Sequence, residues 1–151
     1  MEYEIDSLDR DILRLLRDDA RRPFLEVARQ LGVSGGTIHQ RVARLKKTGV
    51  ITGSRLAIDY RLLGFNVAAF VGIQLTQANA SAEVQRRLLE IPEIVEIHYT
   101  TGKYSLLARV TAHSVDDLYR LLSGELQSSP DIQSTETFVI LDTAVEREAA
   151  L

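Results

Sequence analysis

The sequence has no cysteine, only 3 prolines, and no apolar run near the ~20 residues that a membrane-crossing helix needs. Without cysteine there is no disulfide framework, no thiolate nucleophile and no Cys-ligated zinc, a composition at ease in a reducing compartment. The three histidines, His39, His98 and His113, are too widely spaced for a local metal motif. The opening stretch MEYEIDSLDRDIL lacks the basic-then-apolar order of a secretory signal. These absences predict a cytoplasmic protein with no metal and no cofactor. With 9 glycines and 45% hydrophobic residues in 151, a folded state with one good core or two small ones is expected.

A local absence is more informative. Between Glu26 and Asp59 there is no acidic residue, yet Arg29, Arg41, Arg44, Lys46, Lys47 and Arg55 all fall there. Residues 1–60 carry 11 Lys/Arg against 9 Asp/Glu, whereas residues 61–151 carry 7 against 12, so the formal charge of -3 hides two halves of opposite sign. Such asymmetry points to a polyanion-binding module joined to a module with a different task.

The first half reads as three short helices. Asp6 is placed to cap the first, in which Leu8, Ile12, Leu15 and Leu16 recur with helical spacing, and Asp9 and Asp11 suit its dipole. Pro23 permits a second start, with Phe24, Val27, Ala28 and Leu31 inward and Gly32 as the stop. Val33-Ser34 is the tight turn, and Ser34 caps a third helix with Ile38, Val42 and Leu45 inward, closed by Gly49. The order is that of a helix-turn-helix. Its opposite face carries Gly36, Thr37, Gln40, Arg41 and Arg44, with Ser34 at the cap and His39 at the edge, groups that reach bases and phosphates in double-stranded DNA. Gly35-Gly36 lets the helix N-terminus approach the DNA backbone closely. An Arg and Gln face on an isolated helix is ordinarily just solvated; here the turn, the caps and the acid-free surroundings favour DNA. Val50 to Ile58, around Thr52-Gly53-Ser54, reads as a two-stranded wing, and Asp59 to Gly64 as a hinge.

Beyond residue 60 the hydrophobic period changes from helical to alternating. Val67 to Leu75 predicts a strand, and Val84, Leu88 and Ile91 a helix capped near Ser81 and stopped at Pro92. Val95, Ile97 and Tyr99 predict a second strand, and Leu106, Ala108 and Val110 a third. Ser114 opens a helix with Val115, Leu118, Tyr119 and Leu122 on one side, and Ile132 to Leu141 predicts a fourth strand. The order βαββαβ implies an α+β, ferredoxin-like sheet with two helices on one face. On either alternation the uncovered face would carry much Val, Leu and Phe, which predicts a homodimer through this domain. Dimerisation also suits a two-fold symmetric DNA site.

IDSLDRDIL at the start, GVSGGTIHQRVARLKKTGVI in the reading unit and YTTGKYS with DIQSTET in the second domain resemble the Lrp/AsnC family of transcription regulators, over essentially the whole chain and closest to its asparagine-responsive AsnC branch. The resemblance implies a winged-type helix-turn-helix domain over 1–60 and an ACT-like ferredoxin domain over 61–151 that binds effector and assembles homodimers, commonly into a tetramer of dimers. It implies a small amino acid, asparagine first and leucine or methionine next, held against Thr101, Gly102, Lys103, Tyr104 and Ser105 and the strand with Gln133, Thr135 and Thr137. Most of the family has Asp where this chain has Ser105; the AsnC branch has Ser, which implies a modified pocket. The loop chemistry is compatible, since free backbone N–H groups at Gly102 can hold a carboxylate and Tyr104, Ser105, Gln133 and Thr135 offer neutral hydrogen-bonding groups. A Gly-x-Tyr-Ser hairpin by itself is ordinary.

Two other readings compete. A ligand-independent architectural DNA-binding protein would need no effector site. A dimeric ferredoxin-like enzyme could use His98, Tyr99 and Tyr104, but there is no base with an orienting partner, no carboxylate pair at a strand end and no nucleotide-binding glycine motif.

Overall fold

Asp6 starts the first helix by closing its N-terminal turn on itself. Its side chain accepts from the Asp9 N–H at 2.9 Å while the Asp9 carboxylate accepts from the Asp6 N–H at 3.2 Å, a reciprocal capping box. Residues 4–77 and 80–151 are described by the computed structural model. The chain divides into two units, one ending at Ala57 and joined by Arg147–Leu151, the other spanning Ile58–Glu146.

In the first unit, α1 (Ser7–Asp18), α2 (Phe24–Leu31) and α3 (Gly35–Lys47) pack around Ile12, Val27, Ala28, Ile38 and Val42, with Leu45 also buried. α2 follows Pro23 and ends at Gly32, and Ser34 caps α3 by accepting from the Thr37 N–H at 3.1 Å. Asp9 does more than suit the helix dipole, for it is fully buried. The closing segment lies on α1, where Arg17 donates to the Ala149 carbonyl at 2.8 Å and Arg14 to that of Leu151 at 2.9 Å.

The wing expected over Val50 to Ile58 is not formed. Ile51 is tied back by its N–H to the Leu45 carbonyl at 3.0 Å, and residues 52–58 enter no strand ladder. A two-stranded hairpin is marginal without a third strand or a packed face, and Leu56, 73% exposed, packs against neither. Over the expected hinge the chain forms a 3-10 turn, Tyr60–Leu63, capped by the Asp59 side chain on the Arg61 N–H and ending at Gly64.

The second unit is a four-stranded antiparallel sheet in the order β2-β3-β1-β4, with β1 Val67–Leu75, β2 Ile94–Tyr99, β3 Leu106–Ala112 and β4 Ile132–Val139. Its helices are α4 (Ser81–Leu88) and α5 (Val115–Arg120), the latter continuing as a π-helical segment, Leu121–Leu126. Strict alternation puts Ala69, Val71, Ile73 and Leu75 of β1 and Leu106, Ala108, Val110 and Ala112 of β3 into one core, closed by Val84 and Leu88 of α4 and by Leu118, Leu121 and Leu126. The α+β ferredoxin-like expectation therefore describes the sheet and its helices.

The cap expected near Ser81 falls on Ala80, and three other local expectations are corrected. In β2 a register shift between Ile94 and Glu96 leaves Val95 exposed, so Ile94 and Ile97 supply the inner face in place of an unbroken Val95, Ile97, Tyr99 alternation. Along α5, Val115 and Tyr119 are 67% and 68% exposed, and the inner side is Leu118 and Leu121. β4 ends at Val139 rather than Leu141. The uncovered sheet face is also more polar than expected: Phe70, Leu107 and Phe138 share it with Glu96, His98, Arg109 and Glu136.

The α5 assignment has a direct consequence. Leu118→Ala should cost about 2 to 5 kcal/mol in urea unfolding, as for buried leucines generally, while Val115→Ala should stay within about 0.5 kcal/mol. Equal losses would mean that the helix packs by its other side.

Candidate nucleic-acid interface and effector site

The caps and core that build α3 also sort its side chains. Ile38, Val42 and Leu45 are buried, while Gly36, His39, Gln40 and Arg44 are exposed and Thr37 is half-buried. Ser34 and Thr37 are both engaged at the N-cap, their hydroxyl oxygens 2.9 Å apart. His39 leans on α2, its ring edge-on to Phe24 with centroids 4.7 Å apart. Arg44, Lys46 and Lys47 stand in the last turn, where cations oppose the negative end of the helix dipole.

The protein's own packing does not explain the glycine pair. A Cβ added at Gly36 would come no nearer than 3.7 Å to Ser34 Oγ, and one at Gly35 no nearer than 3.9 Å to Leu25 Cδ1, both ordinary contacts. The surface there is open to a backbone from outside. Arg41 is placed differently from its neighbours: its guanidinium bonds the Asp6 carboxylate at 2.5 Å and both Asp9 oxygens at 3.3 Å. The Asp6 carboxyl lies below the usual carboxylate range, first because of the Asp9 N–H and then because of Arg41.

In the second unit the loop from Thr100 to Ser105 is a closed turn. The Thr100 N–H donates to the Ser105 carbonyl at 3.2 Å and its hydroxyl to the Tyr104 carbonyl at 2.6 Å, while the Ser105 N–H reaches Ile73 O at 2.9 Å. Gly102 holds a φ of +97°, a left-handed conformation that glycine adopts without penalty. Thr101, Gly102 and Lys103 are exposed, and Tyr104 and Ser105 half-buried. The Tyr104 ring lies on the backbone of Gly72, where an added Cβ would be 2.7 Å from ring carbons. Lys103 Nζ stands 5.1 Å from the centre of that ring and 3.1 Å from Glu136 Oε2. The loop, Gly72 and Glu136 thus meet on the uncovered face, since Gly72 is opposite Glu136 in the sheet.

The strand residues named with the loop are not gathered there. Thr135 and Thr137 pair with Ile73 and Val71 and so belong to the helix-covered side, and Gln133 is the extra residue at the register shift beside Leu75. Gly72 and Glu136 escaped sequence reasoning, although a lone glycine inside a strand of Val, Ile and Phe signals close approach. Further along this face, Glu96 accepts from Arg109 at 2.9 Å and lies 3.0 Å from His98 Nε2; His98 first and then Arg109 hold its carboxyl below the usual range. The buried Nε of Arg109 has no hydrogen-bond partner among the described residues. Among those residues no His, Asp and Glu cluster could hold a metal ion, and no helix is long and apolar enough to cross a membrane.

Comparison with known proteins matches residues 5–46 to the AsnC-type helix-turn-helix domain and residues 68–150 to the Lrp/AsnC ligand binding domain. The chain is 42% identical over 146 residues to regulatory protein AsnC of Haemophilus influenzae, covering 97% of each. The solved structure of Escherichia coli AsnC superposes with a TM-score of 0.94 at 40% identity, covering 97% of this chain and 99% of that one. A transcriptional regulator from Neisseria meningitidis in complex with L-Met shares the fold, with a TM-score of 0.89 at 16% identity, covering 95% of this chain and 94% of the other.

The Tyr104 contact is testable. Gly72→Ala should cost about 1 to 3 kcal/mol by overpacking, and much less in a Tyr104→Ala background; urea unfolding of the two pairs measures the difference. Equal costs in both backgrounds would show that the ring does not rest on Gly72.

Proposed function

The chain belongs to the Lrp/AsnC family of transcription regulators, with a helix-turn-helix DNA-binding domain and a ligand-binding domain, and from that premise we propose how each domain works. α3 enters the major groove, with Gly36, Thr37 and Gln40 toward bases, Arg44 toward base or phosphate, and Ser34 and His39 flanking. The observation that carries this reading is the exposed strip from Gly36 to Arg44 on a capped helix, within a stretch of chain that has no acidic residue. Gln presents a bidentate pair to adenine, and Arg to guanine or a phosphate.

In the second domain, a small amino acid acts as effector against Thr101, Gly102, Tyr104 and Ser105; Gln133 and Thr135, which lie on β4 beyond β1, join the site from another copy of the chain. The turn at Gly102 supplies N–H groups for a carboxylate, and Ser105 offers a neutral partner for a side-chain amide. This favours asparagine, as does the likeness to the AsnC regulators; leucine and methionine are the alternatives, the latter bound by the Neisseria relative. A second copy of the chain covers the uncovered sheet face, where Phe70, Leu107 and Phe138 surround the Glu96 and Arg109 pair, and dimers assemble further into a tetramer of dimers. Effector binding alters assembly and so DNA occupancy, for which a coupling of ~1 to 3 kcal/mol suffices.

Purified protein should shift its own upstream DNA in a gel, with an affinity that falls steeply as salt rises. Gly36→Leu separates reading from folding, because it removes a helical glycine and should leave stability equal or higher by up to about 1 kcal/mol, yet it should abolish the shifted band. Intact binding by this variant would place the DNA on another surface.

A thermal-shift panel of the standard amino acids addresses the effector. A ligand at about a hundred times its Kd stabilises by ~2.7 kcal/mol, and asparagine should give the largest upward shift. A panel with no shift would favour the architectural, ligand-independent reading.

A further inference from the structure

Arg41 follows Gln40 on the helix proposed to read DNA, and it reaches two carboxylates at the start of α1. Its guanidinium bonds Asp6 Oδ2 at 2.5 Å and both oxygens of Asp9 at 3.3 Å, across 35 and 32 residues of chain. Its side chain is 27% exposed, and that of Asp9 has no exposure at all. The two carboxylates are already committed to each other's backbone through the capping box. They cannot turn away from Arg41 without uncapping α1. A buried carboxylate left without its cation is strongly destabilising, so the guanidinium is held in place by the same requirement that holds the carboxylates.

We propose that Arg41 is a positioning residue and not a DNA contact: the Asp6–Asp9–Arg41 cluster fixes the rotation of α3 on α1 and so decides which of its side chains face the bases. The three helices meet chiefly through aliphatic side chains, which fill space without specifying a single rotation about the helix axis. A planar guanidinium shared by two carboxylates with fixed backbone partners does specify one. Arg41 therefore contributes no phosphate neutralisation, and its effect appears in discrimination among sequences.

The inference rests on the reading that α3 contacts DNA. The decisive variant is Asp6→Asn, because Asn caps a helix as well as Asp does and the change removes only the charge. Were Arg41 a phosphate contact, deleting a nearby negative charge and freeing its guanidinium would tighten binding. As a positioning residue it loses its Asp6 ion pair, and the ratio of affinity for the protein's own upstream DNA to that for unrelated DNA should fall about tenfold, the discrimination of roughly one base contact. The slope of log affinity against log salt should be unchanged in Asp6→Asn and in Arg41→Gln, whereas loss of a phosphate contact lowers it by about 1.

Fluorescence anisotropy on both DNAs across a salt series gives both quantities, and circular dichroism under the same conditions gives the folded fraction. An affinity ratio that is raised or unaltered in Asp6→Asn, a slope lowered by about 1 in Arg41→Gln, or a loss that only follows the folded fraction would each overturn the positioning role. If the unsubstituted protein binds neither DNA, or Gly36→Leu binds as it does, the assignment of α3 to DNA fails instead, and the two failures are told apart.

Discussion

A carboxylate with no access to water lies between the first and third helices, and the first unit is arranged around keeping it paired. Asp9 is fully buried, a position that an uncompensated charge could not occupy. It is tolerated because three separate requirements are met by the same atoms. The first turn of α1 needs acceptors for its N–H groups, Asp6 and Asp9 need a cation between them, and α3 needs a fixed orientation. One guanidinium and one capping box satisfy all three. Repacking an aliphatic contact would shift side chains by fractions of an ångström, whereas breaking this cluster would leave a charge stranded in the core.

The second unit depends on a different constraint, the contact of Tyr104 with the backbone of Gly72. Every other residue from Val67 to Ile73 carries a side chain, and any of them at position 72 would lift the ring from the sheet. With the ring seated, the loop from Thr100 to Ser105 is drawn against β1, and Gly102 is left exposed at its tip. Lys103 and Glu136 close over the contact from the edge. The loop shape is thus determined by a residue some thirty positions earlier in the chain, which is why the loop sequence alone reads as an ordinary hairpin.

What could be read from the sequence follows the range of the chemistry involved. Ser34, Pro23, Gly32 and Asp6 act on backbone groups within four residues, and the alternation of Ala69, Val71, Ile73 and Leu75 is a property of one strand; all were legible. The partner of Arg41 was not, because nothing local distinguishes a cation that will meet α1 from one that will meet solvent. The stretch from Val115 to Leu126 carries apolar residues around more than half of the helix, so two stripes fit equally well, and packing against the sheet selected Leu118 and Leu121 over Val115 and Tyr119. In β2 the shift at Val95 inserts one residue and reverses the alternation that the pattern assumed. The wing failed for an energetic reason, since Leu56 and Ile58 have strand-like composition but no partner strand among the described residues. For the effector residues, the family pattern joins the loop to Gln133, Thr135 and Thr137, whereas within one chain the loop meets Gly72 and Glu136 on the opposite side of the sheet.

α3 divides its labour along its length, and the division follows from the field of the helix itself. At the Ser34 end the backbone N–H groups and the positive end of the dipole face outward beside two glycines, an arrangement that favours a phosphate at close range. At the other end Arg44, Lys46 and Lys47 sit where the dipole is negative, so they stabilise the helix before any DNA is present and add positive charge that attracts polyanion at longer range. Between the two, Ile38, Val42 and Arg41 are turned to the protein. A helix held along its middle and charged at both ends can approach DNA without being reoriented by it. On the proposed reading, attraction then comes from the ends of α3, and discrimination from how firmly its middle is held.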